Sequence, residues 1–451
     1  MDKDIKFFQD DLLKLGIPYS NKIFKRELYE EFSRINNEEE ASLQDLTSLF
    51  CFSIDGESTN DRDDIISFEK NIGEDTYSLG IHISSVASFI ADNSLIDIEA
   101  SNRSSSIYSL DANIPMLPQY FTEKFGSLDP SKLRKCLTVL VKIDNEANIL
   151  DSNIIVSKIK NNLALKYEDV EFILNDKEHK LFSLFKQLYS ISSVLNQKRV
   201  AEGALKVDNP NMEINLLDNG KIDIRVINQI TNSKLIVSEI MILYNRILAE
   251  FCYKSKLPAI YRSQDKIELD NLAFQNFSSI VRRYMIYKKM KPGLFSTNPS
   301  PHFFMGVDKY IQATSPLRRY FDLIMQRQVI NYKFYNKIIY TTDDLKLIIE
   351  KSALRLKTIS KFEREREKYW VIRYFDQISG DLIQNKSNKC FVGIVLESNL
   401  NGLALLELQE IPFRFKCYIP EVCFQGDRIN FNIKNVDLMN RSVNFIFRNK
   451  I

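Results

Sequence analysis

Four aspartates, Asp55, Asp61, Asp63 and Asp64, fall within ten residues, directly between two apolar runs. Cys51 to Ile54 reads as one short strand and Ile65 to Phe68 as the next. Between them Gly56 permits a sharp turn, and Ser58, Thr59 and Asn60 are loop formers. Such a strand–loop–strand unit folds four carboxylates into one small volume. Like charges held together repel and raise one another's pKa. A hard divalent cation relieves that conflict by accepting oxygen ligands. From composition alone, a solvated acidic loop without any ligand stands beside the metal reading. A calcium loop of the EF-hand type is excluded. Counting from Asp55 puts Asn60 where glycine is required and Ile66 where glutamate is required; counting from Asp61 puts Ile66 at the glycine position.

The rest of the chain changes character in order. Residues 1 to 47 read as a charged helical arm, with Phe7, Phe8, Leu12, Leu13 and Leu15 as a partial apolar stripe that suits packing on the core. From 48 to 150 strand patterns prevail, including Tyr77 to Ile83 and Leu137 to Ile143. Residues 158 to 203 look helical, and Met212 to Val226 returns to strand. Helical spacing then dominates over 234 to 255, 317 to 335 and 343 to 378. Polar residues 385 to 388 look like a linker. Five strand-like runs follow: Cys390 to Leu396, Ala404 to Leu408, Phe413 to Ile419, Arg428 to Ile433 and Ser442 to Phe447. The expected class is α+β, a large unit with a mixed sheet and surrounding helices over 48–384. A small all-β barrel of the OB-fold type is expected over 385–451.

A second constellation is Thr314-Ser315-Pro316-Leu317-Arg318-Arg319-Tyr320. Ser315 can cap a helix with Pro316 at its first position. Arg318 and Arg319 would then sit in the first turn, the wrong end for complementing the helix dipole. Arginine there is suited to an anion, and phosphate matches its bidentate fork; a pair of surface arginines bound to nearby acids is the alternative. Composition is otherwise restrictive. Three histidines in the chain leave histidine-based chemistry poorly served, and six scattered cysteines without a close pair argue against zinc. A net charge of +2 gives no support to nucleic-acid binding, so any basic surface must be local. Arg282, Arg283, Lys288, Lys289 and Lys291, interleaved with Tyr284 and Tyr287, suit a single-strand groove or an exposed helix face. No apolar run reaches the roughly eighteen residues a membrane span needs. The first eleven residues lack a signal-peptide core, so a cytoplasmic monomer is the default expectation.

Together these segments resemble the RNB domain, the catalytic domain of the ribonuclease II family. The acidic stretch from Asp55 to Asp64 is similar to that family's acidic signature, and Thr314 to Tyr320 to its arginine motif. Three more stretches agree in order and spacing: Arg103 to Tyr108 with Ile114 to Pro118, Glu239 to Asn245, and Pro258 to Arg262. The resemblance covers about 48 to 375. It implies a hydrolytic 3′-to-5′ exoribonuclease that shortens single-stranded RNA to nucleoside 5′-monophosphates, using magnesium or manganese. The alternative is a non-catalytic RNA-binding protein of the same fold. By position, the resemblance gives Asp55, Asp61, Asp63 and Asp64 the metal, with Asp63 catalytic. It gives Arg318 the charge on the scissile phosphate, and Tyr108, Tyr261, Arg103 and Arg319 the RNA. One of Glu363, Glu365 and Glu367 is expected near the site, without a choice among them. Two departures stand out. Forty-seven residues are too few for the cold-shock barrel that usually precedes the domain. The run His82-Ile83-Ser84-Ser85 also carries serine where aspartate is common.

Overall fold

The structure, a computed structural model, describes residues 8–13, 43–57, 59, 61–111, 113–205, 207, 210–227, 231–268, 277–385 and 390–451. Its centre is a seven-stranded mixed sheet built from β1 (Gln44–Asp45), β2 (Cys51–Asp55), β3 (Asp64–Lys70), β4 (Thr76–Ser84), β7 (Leu133–Asp144), β8 (Ile149–Lys160) and β9 (Leu163–Lys166). A separate hairpin of β5 (Ile107–Tyr108) and β6 (Asn113–Ile114) intervenes in sequence. The sheet order is β1-β8-β7-β4-β3-β2-β9. β1 runs parallel to β8 and β9 parallel to β2, while the inner pairs are antiparallel. Alternation places Phe52 and Ile54 with Ile66, Phe68, Leu79 and Ile81 in the main core. The helices Phe182–Ala201, Asn232–Lys254 and Tyr320–Tyr335 supply the other half of that core. Two further antiparallel pairs follow, β10 (Asn211–Leu216) with β11 (Ile222–Ile227) and β12 (Tyr261–Ser263) with β13 (Leu294–Ser296).

A buried polar ladder crosses the large sheet. Ser67 Oγ bonds His82 Nε2 at 3.0 Å, His82 Nδ1 bonds Thr138 Oγ1 at 2.9 Å, and Thr138 Oγ1 bonds Ser157 Oγ at 2.7 Å. Burial pushes the His82 imidazole down to about 3, so it stays neutral. Gly80 sits beneath the first link: a Cβ there would lie 2.3 Å from Ser67 Oγ and 2.6 Å from His82 Nε2. Gly80→Ala is therefore expected to cost about 1–3 kcal/mol, the usual range for overpacking. Denaturant titration checks this, and an unchanged midpoint would refute it. In the adjoining run, Ser84 Oγ donates to the Gly126 carbonyl at 2.6 Å and ties down that backbone, while Ser85 Oγ bonds Ser88 Oγ at 2.7 Å.

The last five strands, β14 (Phe391–Ser398), β15 (Leu403–Leu408), β16 (Arg414–Tyr418), β17 (Arg428–Asp437) and β18 (Ser442–Lys450), pair antiparallel in the order β16-β15-β14-β17-β18. The sheet curls until its edges meet, where Cys417 Sγ reaches the Phe445 carbonyl at 3.5 Å. This is the nearly closed five-stranded barrel expected of an OB-fold. The 44-residue helix Thr342–Asn385 leads into it, and Phe375 enters its core edge-on to Phe391, Phe413 and Phe445.

Several boundaries differ from the sequence expectation. Residues 158–166 are not helical, because β8 extends to Lys160 and β9 follows before the helices Tyr167–Asn175 and Phe182–Ala201. The helix expected from Ser315 starts at Tyr320 instead, and Ser315–Arg318 forms a separate turn. Of the expected arm, residues 8–13 form a helical turn whose Phe8 and Leu12 are buried while Leu13 faces outward. Phe7, Leu15 and the other arm positions before residue 43 lie outside the described residues, as do Ser58, Asn60 and 386–388 of the expected linker. Among the described residues no helix is long and apolar enough to cross a membrane.

Candidate active site

The loop end of the β2–β3 hairpin, the turn before the Tyr320–Tyr335 helix and one flank of the Asn232–Lys254 helix enclose a cleft of about 450 Å3. All four aspartates line it, together with Arg318, Arg319 and Tyr108. Two clefts elsewhere are larger, about 500 and 560 Å3, but neither gathers either motif, so chemistry rather than size selects the site.

Burial sets the electrostatics. Asp63 is 5% exposed, and desolvation lifts its carboxyl to about 7 although Arg318 and the Leu317 amide pull it down. Desolvation, with Asp55 and Asp63 alongside, lifts Asp64 to about 8. Burial also raises Asp55. Its Oδ2 is buried without a hydrogen bond. Arg62 Nε lies 3.3 Å away, but off hydrogen-bonding geometry. Carboxylates that share one cleft, raise one another's pKa and leave one oxygen orphaned are suited to a hard divalent ion. As placed, the side chains stand around the cleft rather than meeting at a point, the spacing that like charges favour. Among the described residues no three metal-ligating side chains form a ready-made cluster.

The turn 315–318 is shaped to meet these acids. Arg318 and Arg319 amides both donate to the Ser315 carbonyl, at 3.2 and 3.0 Å. The Leu317 amide donates to Asp63 Oδ1 at 3.0 Å. Arg318 Nε lies 3.4 Å from Asp63 Oδ2, and its Nη2 donates to Ser315 Oγ at 3.0 Å. Arg319 lines the cleft but is anchored differently, donating to buried Asp322 at 3.0 and 2.6 Å.

Tyr108 projects from the small hairpin. The residue is 39% exposed, its hydroxyl donates to Asp61 Oδ2 at 3.1 Å and its amide donates to Glu363 Oε1 at 3.2 Å. Among the three candidate glutamates, Glu363 is thus the one beside the site, and burial raises its carboxyl. Glu365 faces Arg441 at 3.8 Å instead. Sequence reasoning missed Tyr167, which reaches the cleft because β9 runs parallel to β2 with Lys166 opposite Asp55. Burial, with Asp64 and Asp55 nearby, pushes its hydroxyl up to about 12. No local signal marks that position; only the parallel pairing does.

Two expected RNA contacts are not brought here. Tyr261 is 3% exposed in a strand paired with Ser296 and Ile311, so it has no free face for a base. Arg103 points to Glu99 and the Pro115 carbonyl, at 2.8 and 2.9 Å, and does not line the cleft. For the basic helix Ser279–Lys289 and the residues just after it, the expectation is a groove or an exposed face, and Arg282, Lys288 and Lys289 are exposed. Arg283 forms a buried pair with Glu407, Lys288 pairs with Glu397, and Lys291 pairs with Asp265. The first two contacts fasten the barrel to the body.

Comparison with known proteins agrees with this picture. Residues 43–335 match the sequence model of the RNB domain. An uncharacterized ribonuclease of Synechocystis is 27% identical over 398 residues, 87% of this chain and 58% of that protein. Ribonuclease R of Chlamydia pneumoniae is 24% identical over 452 residues, 89% and 65% of the two chains. The chain therefore spans about half to two thirds of the length of the curated relatives it matches. The structure of Mycoplasma genitalium RNase R in complex with ribose-methylated single-stranded RNA superimposes with a TM-score of 0.86 at 20% identity. It covers 99% of this chain and 78% of that one.

Proposed function

The chain belongs to the RNB-domain family, and from that premise we propose that it is a 3′-to-5′ exoribonuclease acting on single-stranded RNA. The observation that carries this reading is one cleft lined by four aspartates, Arg318 and an exposed tyrosine. The relatives named as ribonucleases give it further support.

Asp55, Asp61, Asp63 and Asp64 would hold magnesium or manganese, which carboxylates suit equally. When bound, such an ion lowers the pKa of water and offsets charge on a phosphodiester. The chain's own groups do the rest. Tyr108 offers its ring to a base near the strand's 3′ end, an interaction that discriminates little between bases. Arg318 aims its guanidinium into the cleft beside Asp63, where it stabilises the extra charge of the phosphorane-like transition state. In the reaction a water oxygen bonds to phosphorus and the bond from phosphorus to O3′ breaks. The shortened strand keeps a 3′-hydroxyl and a nucleoside 5′-monophosphate leaves. Inorganic phosphate takes no part.

Digestion of a 5′-labelled single-stranded RNA with added magnesium tests the reading. The expected result is a ladder shortening from the 3′ end with nucleoside 5′-monophosphates accumulating, abolished by a chelator and restored by excess magnesium. RNA binding without shortening would transfer the assignment to a non-catalytic RNA-binding role.

A further inference from the structure

Residues 8–13 enter none of these steps, yet they are tightly held against the element that presents Tyr108. Phe8 and Leu12, 2% and 0% exposed, pack with Ile107 and Ile114 of the β5–β6 hairpin and with Ile359 and Phe362 of the long helix. Phe8 meets Phe362 edge-on at 5.4 Å. Asp11, 5% exposed, accepts from Arg366 Nη1 at 3.2 Å through one oxygen and from Arg441 through the other. Arg366, fully buried, also pairs with Asp111, three residues beyond Tyr108, and Asp111 accepts from Trp370 Nε1 at 2.6 Å.

The hairpin needs such support. Its ladder consists of two residue pairs, Ile107 with Ile114 and Tyr108 with Asn113, and so short a ribbon is not stable in isolation. Tyr108 and Asn113 both line the cleft, so their position depends on what braces the hairpin from behind. The apolar side of that brace is Phe8 and Leu12. Its polar side is the chain Arg441–Asp11–Arg366–Asp111, running from the turn between β17 and β18 to the hairpin. Buried charges are tolerated only when paired, so each member holds the next in place.

We propose that residues 8–13 brace the Tyr108 hairpin and that Asp11 is a positioning residue, fixing Tyr108 against the end of the RNA strand. The proposal rests on the exoribonuclease reading. It is tested with the full chain by a double-mutant cycle on Asp11→Asn and Tyr108→Ala, read as the single-turnover rate on a short single-stranded RNA. If Asp11 acts through Tyr108, Asp11→Asn slows the otherwise unmodified protein by roughly three- to tenfold and has little further effect beside Tyr108→Ala, as coupled sites behave. Equal fold-losses in both backgrounds would overturn the proposal, because a merely structural defect is indifferent to Tyr108. Should Asp11→Asn fail to fold, Phe8→Leu keeps an apolar side chain and enters the same cycle, where the same two outcomes decide. Hydrogen exchange at residues 107–114 separates the two ideas. If the unmodified protein does not shorten RNA, the exoribonuclease reading fails, and the brace is judged on exchange alone. Faster exchange confined to the hairpin in Asp11→Asn supports it; unchanged protection overturns it.

Discussion

Asp63→Asn is expected to lower RNA hydrolysis by about a hundredfold to a thousandfold, the loss seen when one preorganised transition-state group is removed, while leaving the metal-free fold more stable. The two effects have one cause. Asp63 is buried, and its carboxyl sits near 7 in the folded chain against an ordinary value of 3.8. The folded state therefore binds more protons than the unfolded state between those values. Stability falls as pH rises through that window, and the loss is complete above about 7. Asparagine cannot ionise and avoids that penalty, up to about 4 kcal/mol from the two values. It still offers an oxygen to the Leu317 amide, which Asp63 Oδ1 engages at 3.0 Å. Denaturant unfolding in chelator should show the variant ahead of the unmodified protein, by more at pH 8 than at pH 5. Added magnesium should stabilise the unmodified protein more than the variant, since a ligand of the folded state alone raises its stability. An inactive variant that is also less stable than the unmodified protein would mean that Asp63 serves the fold instead.

The parts of this molecule that sequence alone made legible are those specified by neighbours in the chain. The β2–β3 hairpin follows from two apolar runs and a turn-forming loop, so its four aspartates could be located before any tertiary contact was known. The barrel strands follow from alternation and turn residues in the same way. What stayed hidden depends on distant partners. Tyr261 and Tyr108 look alike in sequence, but one pairs into a ladder with Ser296 and Ile311 while the other stands on a two-residue strand with its ring out. The cations of the Ser279–Lys289 helix suit a groove or an exposed face equally in sequence, because Glu397 and Glu407, which pair with Lys288 and Arg283, lie 109 and 124 residues downstream of them. Helical periodicity sets Glu365 on a different face from Glu363 and Glu367, which lie one turn apart. Choosing between the last two required knowing where the Tyr108 amide arrives.

Arg318→Lys is the second large effect expected, a loss of about a hundredfold or more in single-turnover rate with RNA affinity changed little. Keeping the charge does not keep the function. The Arg318 guanidinium spans two partners at once, with Nε 3.4 Å from Asp63 Oδ2 and Nη2 3.0 Å from Ser315 Oγ. A lysine ammonium is a single point on a flexible stem and cannot hold that fork. Folding should tolerate the change, because Arg318 is 41% exposed and lysine keeps a positive charge on the side of the buried Asp63. Ground-state binding should also survive, since Tyr108 remains available to a base and Arg319 stays anchored on Asp322. Saturating enzyme separates the terms: a slower rate at unchanged affinity places Arg318 in the transition state, whereas weaker affinity at an unchanged rate would make it a strand anchor. The neighbouring acid supplies an independent reading of the same contact. Arg318 is what pulls the Asp63 carboxyl down against its burial, so a lysine that sits farther away should let Asp63 rise further. In chelator, the fall of stability with pH that Asp63 causes should then extend to higher pH in the variant, and an unmoved dependence would mean that the two side chains do not interact.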